Sequence, residues 1–265
     1  MSYRITILGC GSSGGVPRIG MNWGACDPEN PKNRRLRCSA LFERIGSGGQ
    51  TAVLVDTSPD FREQILRSRI MALDGVLYTH DHADHTHGID DLRMVAFTMK
   101  RRVDVYFDAM TGKSLMERFA YCFKTPDHSN YQPILNGHLI DGVTPIEITG
   151  AGGTIRATPI PQTHGDITSL GYRVANCAYS PDINAIPDAS LPLLRGLDLW
   201  IVDSLRYTPH ESHFSVKQAL SWVEKFKPKR TILTHMTSEL DYATLKAELP
   251  PSVEPAFDGM QVTFG

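Results

Sequence analysis

The segment Thr79-His80-Asp81-His82-Ala83-Asp84-His85 constrains this chain more than any other, because it places four strong metal ligands within six residues. It follows the apolar run Val76-Leu77-Tyr78, which reads as a strand. Three imidazoles and a carboxylate this close repel one another when protonated and compete for water when neutral. The pattern H-x-H-x-D-H therefore calls for divalent cations, and the ligand count suits two better than one. His80 and His82 alternate along an extended segment and face one ion. Asp84 and His85, past the bend, face a second a few ångströms away.

Three further candidates stand at the C-terminal ends of hydrophobic strands, where active-site residues of layered α/β proteins converge. His164 follows Ile155-Arg156-Ala157-Thr158-Pro159-Ile160, Asp203 ends Leu199-Trp200-Ile201-Val202, and His235 ends Thr231-Ile232-Leu233-Thr234. The order H-x-H-x-D-H, His, Asp, His resembles the metallo-β-lactamase superfamily over nearly the whole chain. That resemblance implies an α/β fold, a four-layered αββα sandwich in one domain over residues 1–265, with a dinuclear zinc or manganese centre. It also implies that His80, His82 and His164 hold the first metal, that Asp84, His85 and His235 hold the second, and that Asp203 bridges them. A pair of ions so held generates hydroxide from bound water near neutral pH, so hydrolysis is the expected reaction.

Other motifs narrow the match. The loop Gly9-Cys10-Gly11-Ser12-Ser13-Gly14-Gly15-Val16-Pro17, the strand start Cys38-Ser39, Asp90-Asp91-Leu92-Arg93 and Thr234-His235-Met236 are similar to the PhnP-like phosphodiesterases. These cleave cyclic ribose phosphates and related phosphodiesters and are related to tRNA 3′-processing nucleases. The resemblance implies a non-ligand His before the last metal ligand, a position that His213 occupies, with His210 a competitor three residues earlier. Such a His donates a proton to the leaving oxygen, while Asp84 steadies the attacking hydroxide as well as binding metal. The glycine loop also satisfies G-x-G-x-x-G, but Gly15-Val16-Pro17 argues against the helix that a dinucleotide site requires. Small residues that let the backbone approach the metal site explain the same glycines.

Composition sets wider bounds. The 265 residues are 41% hydrophobic, enough for a large core, and carry a formal charge of −2. That charge supplies no footprint for a long nucleic acid, so a small phosphodiester or nucleotide-like substrate is expected. Arg34 and Arg35 are candidate phosphate or base contacts, and Tyr121 and Phe123 candidate stacking partners, although aromatic residues at that spacing more often belong to a core. Five widely spaced cysteines without a C-x-x-C pair fit reduced thiols. Met1-Ser2-Tyr3-Arg4-Ile5-Thr6 enters a strand at once, with no signal-peptide core or membrane-length apolar run, so a cytoplasmic location is expected. A homodimer is compatible with the sequence, which does not determine oligomeric state.

Strands are expected at Tyr3–Leu8, Ser39–Arg44, Ala52–Asp56, Gly75–Tyr78, Val103–Tyr106, Leu170–Val174 and near Ala178–Ser180. Helices are expected after Ser58-Pro59-Asp60 and from the capping box Ser215-Val216-Lys217-Gln218 to about Lys225. Arg18–Arg37 is the one long segment without periodicity, the kind that is functional or disordered. Three alternatives to a phosphodiesterase stand beside it: a thioester or lactone hydrolase of the same fold, a tRNA 3′-processing nuclease, and a non-catalytic nucleotide-binding module. The seven intact ligands weigh against the last, and the lack of a protruding basic arm against the nuclease.

One departure from the PhnP-like pattern yields a test. That subfamily's additional structural zinc needs a cysteine cluster in the N-terminal loop and a His three residues past the last catalytic ligand. This chain has only Cys26 in that loop and Ser238 at that position. One thiol cannot build a tetrahedral zinc site. Cys26→Ser should therefore leave metal content unchanged in elemental analysis and cost little activity; loss of one zinc equivalent would place a second kind of site in this loop.

Overall fold

In the computed structural model, which describes residues 2–265, the period-two alternation of the first strands sends successive side chains into two different cores. Along β1 (Ser2–Gly9), β2 (Ser39–Gly46) and β3 (Gly49–Val55), one set comprises Ile5, Ile7, Ala40, Phe42, Val53 and Val55. Leu8, Leu41, Ala52 and Leu54 form the other. The first set meets a second sheet, and the second set meets helices. The sheet is thus covered on both faces where these residues stand, which explains the consecutive apolar residues Ala40-Leu41-Phe42 and Ala52-Val53-Leu54-Val55.

The first sheet continues from β3 through β4 (Gly75–Leu77), β5 (Val103–Phe107) and β6 (Leu135–Leu139), all parallel, while β1, β2 and β3 pair antiparallel. The crossovers supply α1 (Phe61–Ser68), the short α2 (Ala83–Thr86), α3 (Leu92–Met99), α4 (Ala109–Arg118) and α5 (Ala120–Phe123). Phe61, Leu92, Val95, Ala96, Leu115 and Cys122 from these helices close the outer core. Tyr121 and Phe123 pack against that same core, with Phe123 edge-on to Phe107 at 6.0 Å.

The second sheet repeats this plan. Strands β7 (Ile146–Gly150), β8 (Gly153–His164), β9 (Ile167–Val174) and β10 (Cys177–Ser180) are antiparallel neighbours. From β10, β11 (Leu199–Asp203), β12 (Arg230–Thr234) and β13 (Val253–Pro255) run parallel. Helices α6 (Val216–Phe226) and α7 (Tyr242–Glu248) cover its far side. Val216, Ala219 and Val223 form the buried stripe of α6, and Phe226 meets Trp200 of β11 edge-on at 5.7 Å. The expected capping box is present, with Ser215 and Gln218 satisfying each other's backbone N–H groups. The last strand, β14 (Met260–Phe264), crosses back to pair with β1, completing a four-layered αββα sandwich. No helix among the described residues is long and apolar enough to cross a membrane.

Arg18–Arg37 folds against the C-terminal half, and the residue that anchors it is Arg35. Its side chain is 1% exposed, and its guanidinium donates to the carbonyls of Thr237 at 2.9 Å and Leu240 at 2.6 Å. Arg35 is therefore a structural cation, not a substrate contact. Arg34 is exposed, 5.5 Å from the centre of the Trp23 ring. Asn33 adds a bond from its amide to Asp241 at 2.6 Å and accepts the Tyr242 N–H at 2.8 Å. The glycine loop owes its residues to this segment: a Cβ on Gly9 would lie 2.1 Å from the Arg37 carbonyl oxygen, so backbone crowding excludes any side chain there. Gly11 bridges both Arg37 and Met236, which ties the loop to the residue after His235. Two charge-assisted bonds to buried carbonyls contribute about 1.5–3 kcal/mol each. Arg35→Ala should lower the unfolding free energy in urea by about 3 kcal/mol, whereas Arg34→Ala should stay within about 0.5 kcal/mol. Equal effects would remove the anchoring role.

Candidate metal centre

The parallel strands of both sheets end on one rim, and the residues past those ends converge there. The turn after β4 supplies His80 and His82, and α2 supplies Asp84 and His85. From the second sheet come His164 at the end of β8, Asp182 after β10, Asp203 at the end of β11 and His235 after β12. Ligand atoms of His80, His82 and His164 lie within 4.8 Å of one another, as do those of Asp84, His85 and His235. These are the two triads expected from the sequence.

The carboxylate between them is Asp182, not Asp203. Asp182 Oδ2 is 3.0 Å from His85 Nε2, and Oδ1 is 3.3 Å from His235 Nε2 and 3.8 Å from His164 Nε2. Asp203 Oδ2 instead accepts the Ile183 N–H at 3.0 Å and meets His213 Nδ1 at 2.7 Å. Sequence reasoning passed over Asp182 because the strand Cys177–Ser180 ends two residues earlier, at Ser180-Pro181. The signal was the same as for Asp203, an apolar strand running into a carboxylate.

Three of the imidazoles, His80, His85 and His164, are aimed by a partner on the other nitrogen, the usual device for fixing a ligand's tautomer. His85 Nδ1 meets Asp56 Oδ2 at 2.7 Å, His80 Nδ1 meets Thr79 Oγ1 at 2.9 Å, and His164 Nδ1 donates to the Ser212 carbonyl at 2.7 Å. Asp56 also accepts the backbone N–H and hydroxyl of Thr79, both at 2.8 Å. It is a second buried carboxylate that the sequence reading did not single out. Asp56, Asp182 and His235 have φ of 64°, 50° and 58°, a region that non-glycine residues occupy at a cost of about 1–3 kcal/mol. Three such residues at one rim mark a site whose geometry the surrounding fold enforces.

Electrostatics test whether cations fit. Burial pushes the Asp182 carboxyl up, but His235 and His85 outweigh it and hold the group well below the usual carboxylate range. Burial would likewise lower His85 and His235, yet Asp182 with Asp84 drives His85 well above its ordinary value and His235 up to about 9. His80 and His164 are pushed down, chiefly by burial, and so are neutral donors. The carboxylates thus demand positive charge, which protons on His85 and His235 satisfy in the protein alone. His80 Nε2, His85 Nε2, both nitrogens of His235 and Asp182 Oδ2 are buried and make no aligned hydrogen bond, even where, as between His85 and Asp182, the atoms are 3.0 Å apart. Divalent cations answer both the charge demand and the orphaned atoms, so the donor set fits them.

A cleft of about 460 Å³ opens beside the first triad, lined by His82 and by His164, Asp166, His210, Glu211 and other residues of the latter two loops. His213, 9% exposed, stacks on His235 with ring centres 4.7 Å apart and lies 4.7 Å from the His164 ring. His210 is exposed and bonds within its own loop, its Nδ1 3.2 Å from the Ser212 N and Oγ. Neither Arg34, Arg35, Tyr121 nor Phe123 lines this cleft.

Comparison with known proteins identifies the family and the fold. Residues 51–236 match the family model of the β-lactamase superfamily domain. The chain is 37% identical to a diphosphatase from the PhnP family, covering 100% of its own length and 98% of that protein, with a TM-score of 0.89. Zinc-bound PqqB from Methylobacterium extorquens (16% identity, TM-score 0.73, covering 98% and 99% of the two chains) shares the fold. So does the short form of human tRNase Z (16%, 0.64, 98% and 98%). The chain is also 30% identical over 263 residues to an octanoyltransferase of Porphyromonas gingivalis, covering 97% of this chain and 51% of that protein. It spans about half the length of that relative.

The exchange of Asp203 for Asp182 has a direct check. Asp182→Ala should lose most of the bound divalent metal in elemental analysis, while Asp203→Asn should keep close to the wild-type content. An Asp203→Asn protein as depleted as Asp182→Ala would return the shared position to Asp203.

Proposed function

Because the chain belongs to the β-lactamase superfamily and, within it, to the PhnP family of metal-dependent hydrolases, we propose that it is a dinuclear phosphodiesterase for a small cyclic ribose phosphate or nucleotide-like phosphodiester. The observation that carries this reading is the Asp203–His213 pair, 2.7 Å apart, set against both triads. On this reading His80, His82 and His164 hold one cation, Asp84, His85 and His235 the other, and Asp182 both. Cations so held would lower the pKa of a coordinated water toward 7 and offset charge on the phosphoryl oxygens.

The chain's own groups do the rest. Asp203 accepts the Nδ1–H of His213 and fixes that tautomer. That leaves Nε2–H of His213 free to donate to the leaving alkoxide of the substrate. Asp84 Oδ2 lies 3.6 Å from Nε2 of both His85 and His235. Its other oxygen is then available to accept a hydrogen bond from the attacking water and orient it. The polar cleft seats the non-reacting part of the substrate, and among the described residues its lining carries no Phe, Tyr or Trp, which leaves histidine rings as its flat surfaces.

A second reading, a thioester hydrolase, draws on one observation, the likeness to half of an octanoyltransferase. The match covers 51% of that relative, whose name describes the whole protein, so the likeness does not displace the phosphodiester reading. Leaving-group chemistry separates the two, since a departing alkoxide needs a proton and a thiolate does not. His213→Ala should retain its metals yet turn over a cyclic ribose phosphate about 10²–10⁴ times more slowly, the usual worth of a positioned general acid. Bis-p-nitrophenyl phosphate, whose leaving group departs unprotonated, should be much less affected. Equal losses on both would reduce His213 to a pocket wall, and turnover of a thioester with none of either diester would overturn the phosphodiesterase.

A further inference from the structure

Three loops beside the cleft meet at one amide. Asn184 Oδ1 accepts the Gly165 N–H at 3.2 Å, its Nδ2 donates to the Glu211 carbonyl at 2.6 Å, and its backbone N–H donates to the Thr163 carbonyl at 2.8 Å. The first and third contacts lie on either side of His164. The second lies two residues before His213. Asn184 itself follows Asp182 by two positions, so the amide is tied to the shared carboxylate, a ligand of the first triad and the candidate proton donor at once.

The loop that leads to His213 is otherwise held at its two ends, by the Tyr207 hydroxyl on Glu248 Oε2 at 2.8 Å and by the Ser212 carbonyl, which accepts from His164 Nδ1 at 2.7 Å. Residues 207–211 are exposed. Arg206 reaches only the Thr208 and Pro209 carbonyls, and His210 only Ser212, all within the loop. Among the described residues, the bond from Asn184 to the Glu211 carbonyl is the one hydrogen bond that ties residues 208–211 to the body of the protein. The Asp203 bond sets the direction of the His213 ring, and the Phe214 N–H is bonded to the Ile183 carbonyl at 2.7 Å on the far side. The near side, where the loop enters from the cleft, rests on the bond from Asn184 to Glu211 beside the one from His164 to Ser212.

We propose that Asn184 is a positioning residue for the proton donor: by joining Gly165 to Glu211 it sets, together with the His164–Ser212 bond, the spacing of the His164 and His213 loops, and so where His213 Nε2 stands against the leaving oxygen. This rests on the reading of His213 as that donor. Misplacing a catalytic group by about 1 Å can cost up to about 10²-fold in rate with every ligand still in place. The Gly165 contact supports the His164 side. The Glu211 contact carries the effect, since among the described residues no other hydrogen bond ties residues 208–211 to the body of the protein.

Asn184→Ala and Asn184→Asp test this, the second because it is isosteric, folds under the same constraints, and can still accept from Gly165 while losing the donor to Glu211. Both should show wild-type metal content and a kcat on a cyclic ribose phosphate about tenfold lower with KM within about twofold. Both should change little on bis-p-nitrophenyl phosphate. In a double-mutant cycle, Asn184→Ala with His213→Ala should be no slower than His213→Ala alone. Additive losses, equal losses on both substrates, reduced metal content, or a fully active Asn184→Asp would each overturn the proposal. If His213→Ala slows both substrates equally, the donor reading falls, and the same cycle still decides the clamp: a double variant no slower than His213→Ala supports it, and a slower one defeats it.

Discussion

The contact between Asp182 and His85, 3.0 Å across the space between the two sheets, is the interaction on which the rest of the rim depends. His85 belongs to the first sheet's crossover and Asp182 to the second sheet. A buried carboxylate and a buried imidazole are each expensive to desolvate alone, and they become tolerable only when they face one another or a shared cation. Neither half of the sandwich can satisfy its own polar groups without the other. The apolar core between the sheets brings the halves together without direction, and this pair fixes their register at the edge where chemistry occurs.

From that pair the support spreads outward in ordered steps. Asp56 holds His85 from behind, Thr79 holds Asp56 and His80, Ser212 holds His164, and Asp203 holds His213. Each partner fills the nitrogen that points away from the rim, so the other is left aimed inward. Three backbones in the left-handed region, at Asp56, Asp182 and His235, store the strain that this convergence requires. Such strain persists only where the surrounding sheets are stiff, as strands buried on both faces are. The chemistry of the rim and the apolar alternation of the strands are therefore two consequences of one arrangement.

The N-terminal loop shows a different solution to a similar problem. A long irregular segment needs a strong anchor, and here a single buried guanidinium bonded to two backbone carbonyls provides it. Arginine suits that task, because its planar fork meets two acceptors and its charge strengthens both bonds. By binding the Thr237 carbonyl, Arg35 also steadies the turn just after His235. The loop is thus coupled to the second triad through backbone rather than through any ligand.

Much of the fold was legible in the sequence because it is written in local patterns. Alternating apolar residues marked the strands, the Ser215 and Gln218 pair marked α6, and H-x-H-x-D-H marked the rim with the imidazoles that follow other strands. What tertiary structure alone decided was which of two equivalent carboxylates faces inward. Asp182 and Asp203 both follow apolar strands that lie side by side and parallel as β10 and β11, so no local pattern separates them. The separation comes from a positive φ that turns Asp182 toward the imidazoles, and from Ile183 and His213, which occupy Asp203 Oδ2. Arg35 was misjudged for the same reason: a basic residue in an irregular loop looks exposed until the segment around it is folded. Periodicity and ligand spacing are properties of neighbouring residues, whereas the direction in which a buried charge points depends on groups distant in the chain, and these meet only once the two sheets have closed.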